Sequence, residues 1–240
     1  MVTRKYTRYA WKAVAVVDPV EPAKVLARIN EELPQYAFKT VLTTHHHRDH
    51  SGGNAELSVS KPGLEFYGGD DRIPSLNVML RDGDEFMIGN INAKAIKTIG
   101  HTMGSISYYL QDGDNDRAVF TGDTLFIGGC GRLFEGTAAD MYDSLTNRLG
   151  SLPKDTKVYV GHEYTYKNYK FALTVDSENE LLKQKTLEAQ NQKITVPSTI
   201  EQELLTNPFM RVGEPALKKA TGESDPVRVL AAIRAMKDKF

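Results

Sequence analysis

The spacing of apolar residues changes along the chain, and this change predicts strands in roughly the first two thirds and helices in the remainder. Short apolar runs bounded by turn formers predict strands, whereas apolar residues three or four positions apart predict one helix face. Strands are expected at residues 12–17, 64–67, 105–110, 117–121 and 157–160, in a segment ending at Thr44, and across a β-rich stretch at 79–99 with hairpin turns at Asp82-Gly83 and Gly89-Asn90. Helices are expected at residues 21–33 and 138–149. This order favours an α/β fold of two packed sheets flanked by helices.

Beyond Thr165 the strand pattern ends, and we expect only helices, at residues 166–173, 178–190, 199–205 and 226–240. A domain boundary near Thr165 would divide the chain into residues 1–165 and 166–240. Asp225-Pro226 is a typical helix start, because it combines a capping side chain with proline at the first helical position. The last helix is expected to bury a stripe formed by Val229, Ile233, Met236 and Phe240. Arg234 and Lys237 are expected at its edge, partly exposed.

The densest group of polar residues is the run from His45 to His50, which contains four of the six histidines of the chain. It follows a predicted strand end, where α/β folds commonly place their chemistry. His45 and His47 are two positions apart and can point the same way from an extended segment. Asp49 and His50 lie past the bend and can point elsewhere, so one short run could serve two metal ions.

Three further residues, His101, Asp123 and His162, each follow a β-like segment and a glycine. Imidazole and carboxylate suit zinc, iron or manganese, and a two-metal site of this kind needs about seven ligands. The candidate ligands are therefore His45, His47, Asp49, His50, His101, Asp123 and His162.

Several neighbouring polar residues have a structural and a functional interpretation. The alternation turns His46 away from the other two histidines, so we expect a buried or supporting side chain. Asp18 either forms a strand-end turn or orients a ligand histidine. For Asp70 and Asp71 a turn is favoured over an acid/base pair, since they follow Gly-Gly and precede an arginine.

Composition excludes some classes of partner and compartment. A net charge of −1 without a long charged block argues against nucleic acid or an anionic membrane as the main partner. We also expect the protein to be a monomer. The single cysteine, Cys130, excludes an intramolecular disulfide and suits a reducing compartment; we expect it to fill a tight space rather than to bind metal or attack substrate. No apolar run approaches the roughly 20 residues of a membrane span.

The N-terminus allows two locations. Residues Arg4, Lys5, Arg8 and Lys12 precede the first acidic residue, Asp18, and weakly resemble a mitochondrial transit peptide. Residues 13–17 already form a predicted strand, so a cytoplasmic location is favoured.

The motif His-x-His-x-Asp-His, with a later histidine, Gly-Asp-Thr and Gly-His-Glu-Tyr, resembles the metallo-β-lactamase superfamily. The match is closer to its hydroxyacylglutathione hydrolase (glyoxalase II) family, over about residues 13–240. The strings that carry this resemblance are YGGDDRI at 67–73, FTGDTLF at 120–126, GCGRLFEGT at 129–137, GHEYT at 161–165 and NPFMR at 207–211.

The resemblance implies an αββα sandwich of two mixed sheets flanked by helices, with a C-terminal helical domain. It implies two divalent metal ions, most simply Zn²⁺ with Fe or Mn as alternatives, and cleavage of S-D-lactoylglutathione to D-lactate and glutathione by a dimetal-bound hydroxide. This reaction is the second step of methylglyoxal detoxification. The resemblance places His45, His47 and His101 on one ion and Asp49, His50 and His162 on the other, with Asp123 bridging them. Asp49 and Asp123 are thereby also expected to be catalytic.

The resemblance further implies substrate-binding roles for Arg132, Phe134, Tyr164, Arg234 and Lys237. The chain departs from the family pattern at Phe134, where tyrosine is common, and in the segment 101–105. It also begins close to the first predicted strand, so the first sheet is expected to lack one strand and leave an open edge. The alternatives are a persulfide dioxygenase or lactonase on the same fold, or a non-catalytic metal-binding protein.

Overall fold

The structure, a computed structural model, describes residues 13–114 and 116–240. The resemblance to a transit peptide, the start of the first strand at Lys12 and the absence of an earlier strand concern residues 1–12, and these expectations lie outside the described residues. The chain forms two compact units. The first unit contains the described residues up to Lys97 and Gly104–Phe120, and the second contains Thr98–Met103 and Thr121–Phe240.

The first unit contains a four-stranded parallel sheet and the helices that connect its strands. The sheet has the order β1-β2-β3-β4. Its elements are β1 (Ala13–Val17), α1 (Pro22–Glu32), β2 (Ala37–Leu42), α2 (Arg48–Ser51), α3 (Asn54–Ser60), β3 (Glu65–Gly68) and β4 (Val78–Met79). Val14 and Val16 of β1 pack in one core with Val25 and Ile29 of α1. Burial of each such side chain contributes about 1.5–3 kcal/mol, which fixes the helix on the sheet.

An antiparallel ladder completes the first unit. It consists of β5 (Glu85–Ile88), β6 (Ile91–Lys97), β7 (Ile106–Asp112) and β8 (Asp116–Gly122), the last of which ends in the second unit. The two predicted hairpin turns are present, with φ of +84° at Gly83 and +62° at Gly89. The predicted strands at 105–110 and 117–121 are too short at the ends that face each other, because Asp112 pairs with Asp116 and extends both strands.

The second unit joins short strands to helices. Its elements are β9 (Leu125–Phe126), β10 (Gly129–Cys130), α4 (Ala138–Tyr142), a π-helix (Asp143–Leu149), β11 (Lys157–Val160), α5 (Thr165–Val175), α6 (Glu180–Gln190), β12 (Ser198–Thr199), α7 (Ile200–Thr206), α8 (Pro215–Thr221) and α9 (Pro226–Asp238). The expectation of helices alone after Thr165 is wrong, because the two-residue strand β12 pairs with β11. Helix α8 was not predicted, and the predicted helix at 138–149 changes to π-helical geometry after Tyr142.

Helix α9 agrees with its predicted start and only partly with its predicted face. The Asp225 side chain accepts a hydrogen bond from the Arg228 amide, as expected for a capping residue. Val229 and Ile233 are fully buried, whereas Met236, in the last turn of the helix, and Phe240, beyond its end, are exposed. None of the helices in the described parts of the chain is both long enough and apolar enough to span a membrane.

Candidate active site

The histidine run of the first unit lies directly after the buried end of β2. His45 and His50 are buried, and their ring centroids are 4.1 Å apart. The short helix α2 begins at Arg48, and its first turn brings Asp49 Oδ2 within 3.9 Å of His50 Nε2. The strand end and the helix start therefore gather four of the candidate ligands.

Asp18 orients this group, which supports the functional interpretation of that residue. It follows β1 with a φ of +49°, and its carboxylate accepts hydrogen bonds from the Thr44 amide (2.8 Å) and hydroxyl (2.7 Å). The same carboxylate lies 2.8 Å from His50 Nδ1. An ionised carboxylate only accepts, so His50 Nδ1 carries the proton and Nε2 is the atom suited to a metal.

The spacing of the donor atoms fits a metal ion. His45 Nε2 and His47 Nδ1 are 3.1 Å apart. Two nitrogens bound tetrahedrally to one zinc ion, each at about 2.0–2.1 Å, would lie roughly 3.3 Å apart. The Thr44 hydroxyl donates to Asp18, and His45 Nδ1 lies 3.1 Å from that hydroxyl, so His45 also presents Nε2.

His46 and Asp70 form a separate contact within the first unit. His46 Nδ1 lies 3.3 Å from Asp70, which supports the expectation of a supporting side chain. Asp70 is buried and pairs with Arg72 at 2.6 Å, and this arginine holds the pKa of the carboxyl below its usual value. Asp70 is thus an ionised turn residue, as the favoured interpretation required.

The second unit gathers the other three candidate ligands from three loops. Asp123 follows β8, His162 follows β11, and His101 lies in the segment after β6. Asp123 Oδ2 lies 3.6 Å from His101 Nε2 and also 3.6 Å from His162 Nε2. One carboxylate oxygen between two imidazole nitrogens is the arrangement expected of a bridging ligand.

The main chain orients His101. Its Nδ1 lies 2.9 Å from the Arg132 carbonyl oxygen, which can only accept, so the proton is on Nδ1 and Nε2 faces Asp123. Gly131 allows its loop to pack closely against the Asp123 loop, because a Cβ at position 131 would lie 1.9 Å from the Asp123 carbonyl oxygen. Gly131 is therefore required by close packing against Asp123 and His101.

A pocket of about 490 Å³ lies beside these ligands in the second unit. It is lined by Arg132, Leu133, Phe134, Ala231, Arg234, Ala235 and Asp238. Phe134 is exposed, and its ring centroid lies 5.2 Å from that of His101. Tyr164 is also exposed and stacks on His162 with centroids 5.1 Å apart.

Arg234 does not lie at an exposed helix edge, and that expectation is wrong. Its side chain is buried and donates to the Cys130 carbonyl (2.8 Å) and to Asp238 (3.1 Å). Its guanidinium also lies over the Phe209 ring. The Arg234 side chain is buried because the carbonyl group of Cys130, in β10, accepts its hydrogen bond. The spacing of apolar residues along the helix by itself indicates solvent at this position.

Lys237 and Cys130 have environments that change their chemistry. Lys237 Nζ lies 5.1 Å from the Phe171 ring centroid, and burial, assisted by the nearby Arg234, lowers its pKa to about 8. Cys130 is buried, and burial raises the pKa of its thiol to about 11. The expectation that Cys130 fills a tight space therefore agrees with a thiol that stays protonated at neutral pH.

Two residues at this site were not identified from the sequence. Thr44 connects Asp18 to His45, and Asp238 contacts both Arg132 and Arg234. A signal for Asp238 was present, because it lies four positions after Arg234 on one predicted helix. No comparable signal existed for the Arg132 carbonyl, since main-chain acceptors carry no sequence pattern.

Comparisons with known proteins agree with this architecture. Residues 12–162 match the metallo-beta-lactamase superfamily. The crystal structure of ETHE1 from Myxococcus xanthus superimposes with a TM-score of 0.66 and 26% identity, covering 99% of this chain and 98% of that chain. The predicted metallo-β-lactamase-like α/β fold is thereby confirmed. With its His and Asp donors, this fold suggests a divalent metal site.

The C-terminal part of the chain shows which family within this superfamily the chain resembles. Residues 163–240 match the hydroxyacylglutathione hydrolase C-terminus. The cytoplasmic hydroxyacylglutathione hydrolase of Arabidopsis thaliana is 47% identical over 94% of this chain and 90% of its own length. The hydroxyacylglutathione hydrolase of Trichormus variabilis is 47% identical with the same two coverages. The chain therefore belongs to the hydroxyacylglutathione hydrolase family, and the dioxygenase, lactonase and non-catalytic alternatives are not favoured.

Proposed function

We propose that the protein hydrolyses glutathione thioesters, chiefly S-D-lactoylglutathione, to D-lactate and glutathione in methylglyoxal detoxification. The observation that carries this proposal lies in the second unit, where the arginine-lined pocket adjoins His101 through Phe134. Glutathione has two carboxylates, and the planar guanidinium of arginine matches a carboxylate well. The pocket therefore places arginine side chains next to candidate metal ligands. This arrangement suits a thioester whose leaving group, glutathione, carries carboxylates away from its sulfur.

We further propose that seven residues ligate two divalent cations, most simply Zn²⁺. These residues are His45, His47, Asp49, His50, His101, Asp123 and His162. The donor types and the spacing within each unit support this assignment. When bound, such ions supply Lewis-acid polarisation of a carbonyl oxygen and lower the pKa of water towards neutrality.

The residues of the chain then have distinct roles. Asp49 and Asp123 act as catalytic carboxylates at the reacting centre, and Asp18 and the Arg132 carbonyl hold the histidine tautomers. Arg132, Phe134, Tyr164, Arg234 and Lys237 form the binding site for the glutathione part. The thiolate leaves without strong acid assistance, because thiol pKa values lie near 8.5.

The remaining assignments are also proposals. Residues 1–165 form the catalytic domain and residues 166–240 the substrate-binding domain, which is supported by the two family matches meeting near residue 162. The name of the Arabidopsis relative supports a cytoplasmic location. We propose a monomer that acts on a small molecule, with no nucleic acid or membrane partner.

Hydrolysis of two thioesters by the metal-replete protein tests the function. We expect kcat/KM for S-D-lactoylglutathione to exceed that for S-lactoyl-N-acetylcysteamine, which lacks the carboxylates, by at least about tenfold, since hydrogen bonds to charged groups contribute roughly 1.5–3 kcal/mol. Metal analysis accompanies the assay. Equal activity on both compounds would exclude glutathione recognition, and a metal-loaded protein inactive on both would exclude thioester hydrolysis.

Cys130→Ser tests whether the chain supplies a nucleophile. Because the thiol is buried with a pKa of about 11, we expect turnover to stay within about threefold of the parent. An acyl group trapped on Cys130 would contradict this expectation.

A further inference from the structure

Asp238 is the acidic residue among the walls of the arginine-lined pocket. Its Oδ1 lies 3.2 Å from Arg132 Nε and 3.1 Å from an Arg234 terminal nitrogen, so one oxygen serves two guanidinium groups. Arg234 also donates to the Cys130 carbonyl and is buried. Arg132, by contrast, has a 62% exposed side chain and Asp238 as the partner of its guanidinium in the described structure.

The location of Asp238 is unfavourable for the helix. It is the last residue of α9, where the helix dipole disfavours a negative charge. Ion pairs with two guanidinium groups offset this cost. An acidic side chain at this position makes these ion pairs possible. The ion pairs in the pocket therefore account for an aspartate at this position, whereas the helix dipole alone does not.

The contact with Arg132 leaves a specific part of that side chain to a ligand. Its shortest distance, 3.2 Å, joins Asp238 Oδ1 to Nε and not to either of the two terminal amino groups of Arg132. Those two groups form the guanidinium edge that binds a carboxylate with two parallel hydrogen bonds. An exposed arginine held by its other edge loses less conformational freedom when an anion binds.

We propose that Asp238 is a positioning residue for glutathione recognition, holding Arg132 by Nε so that its terminal edge receives a substrate carboxylate. This inference rests on the proposed function and specifies which group prepares its binding site. Asp238 acts through Arg132 and touches no reacting atom.

The test is a double-mutant cycle on the metal-loaded enzyme. Glutathione binding is measured by calorimetry, and KM and kcat are measured with S-D-lactoylglutathione. We expect Asp238→Asn to raise the Kd and KM about two- to tenfold, the range for ordering one flexible side chain, with kcat within about twofold. In an Arg132→Gln background, Asp238→Asn should have no further effect, because its target is gone.

Controls separate positioning from general damage to the helix. Asp225→Ala removes the cap of the same helix and should weaken α9 without raising the Kd. Activity on S-lactoyl-N-acetylcysteamine should be the same in the parent and in Asp238→Asn. Unchanged or tighter glutathione binding would overturn the inference, as would an effect that persists without Arg132 or is reproduced by Asp225→Ala. Failure of the parent to hydrolyse lactoylglutathione would instead refute the proposed function.

Discussion

The two groups of candidate ligands are oriented by different means. In the first unit, four ligands come from one run, and two of them, His45 and His50, are oriented by side chains, the Thr44 hydroxyl and the Asp18 carboxylate. In the second unit, three ligands come from three loops, and the Arg132 carbonyl and the close packing of Gly131 set the geometry of His101. One group can therefore be altered by conservative side-chain changes, and the other chiefly by changes that move the backbone.

The largest effect is expected from Asp123→Ala. Its Oδ2 lies between two histidine nitrogens, so its loss removes a donor that both neighbours share. We expect kcat/KM to fall by at least about 100-fold and the metal content to fall below the two ions expected of the parent, given the usual cost of disrupting such sites. Kinetics with metal analysis checks this, with Asp71→Ala as an exposed control. A parent that is fully active with one tightly bound ion would rule out the two-metal assignment.

Asp18→Asn should have the next largest effect and tests the side-chain mechanism of the first unit. The amide can donate to His50 Nδ1, which shifts the imidazole proton to Nε2, the atom suited to a metal. We expect a 10–100-fold loss of metal affinity, roughly as for other partners of metal ligands. Competition titration with a chelator measures it.

Asp70→Asn is the matched control for that experiment, because Asp70 contacts His46, which is not a candidate ligand. Its metal affinity should equal that of the parent. Equal losses in both variants would show that Asp18 acts through the stability of the first unit and not through His50.

The comparison also explains what could be predicted from sequence. The run at residues 45–50 and the strand-end positions of His101, Asp123 and His162 are local signals, and spacing with residue type identified them. Strand β12 escaped prediction because two residues show no periodicity, and its pairing with β11 is a tertiary effect. The burial of Arg234 depends on a carbonyl 104 positions away in sequence, which no local pattern records.

Gly131→Ala tests the backbone mechanism of the second unit. A Cβ at this position would lie 1.9 Å from the Asp123 carbonyl oxygen, so the two loops must separate. We expect a loss of roughly 1–3 kcal/mol in the free energy of unfolding, typical of overpacking, measured by denaturant titration. Gly213→Ala is the control, since nothing lies within 4 Å of its added Cβ. Equal stability of the two variants would show that the approach of Gly131 is not a constraint.

The smallest effect is expected from Lys237. This residue lies in the second unit and concerns substrate recognition, not metal binding. With a pKa of about 8, Lys237 is mainly charged below that pH and mainly neutral above it. If it binds a glutathione carboxylate, KM for S-D-lactoylglutathione should rise as pH increases through about 8. We expect a change of up to about fivefold, the value of a partly exposed ion pair.

Stability should change in the opposite direction, which separates recognition from unfolding. The folded pKa lies below the ordinary value of 10.5, so the unfolded chain binds more protons between about 8 and 10.5, and this group adds stability as pH rises there. Lys237→Gln should remove the rise in KM, whereas Lys239→Gln on the same segment should keep it. A KM that rises equally in parent and Lys237→Gln, or for S-lactoyl-N-acetylcysteamine as well, would assign the titration to another group and leave Lys237 a structural residue beside Phe171.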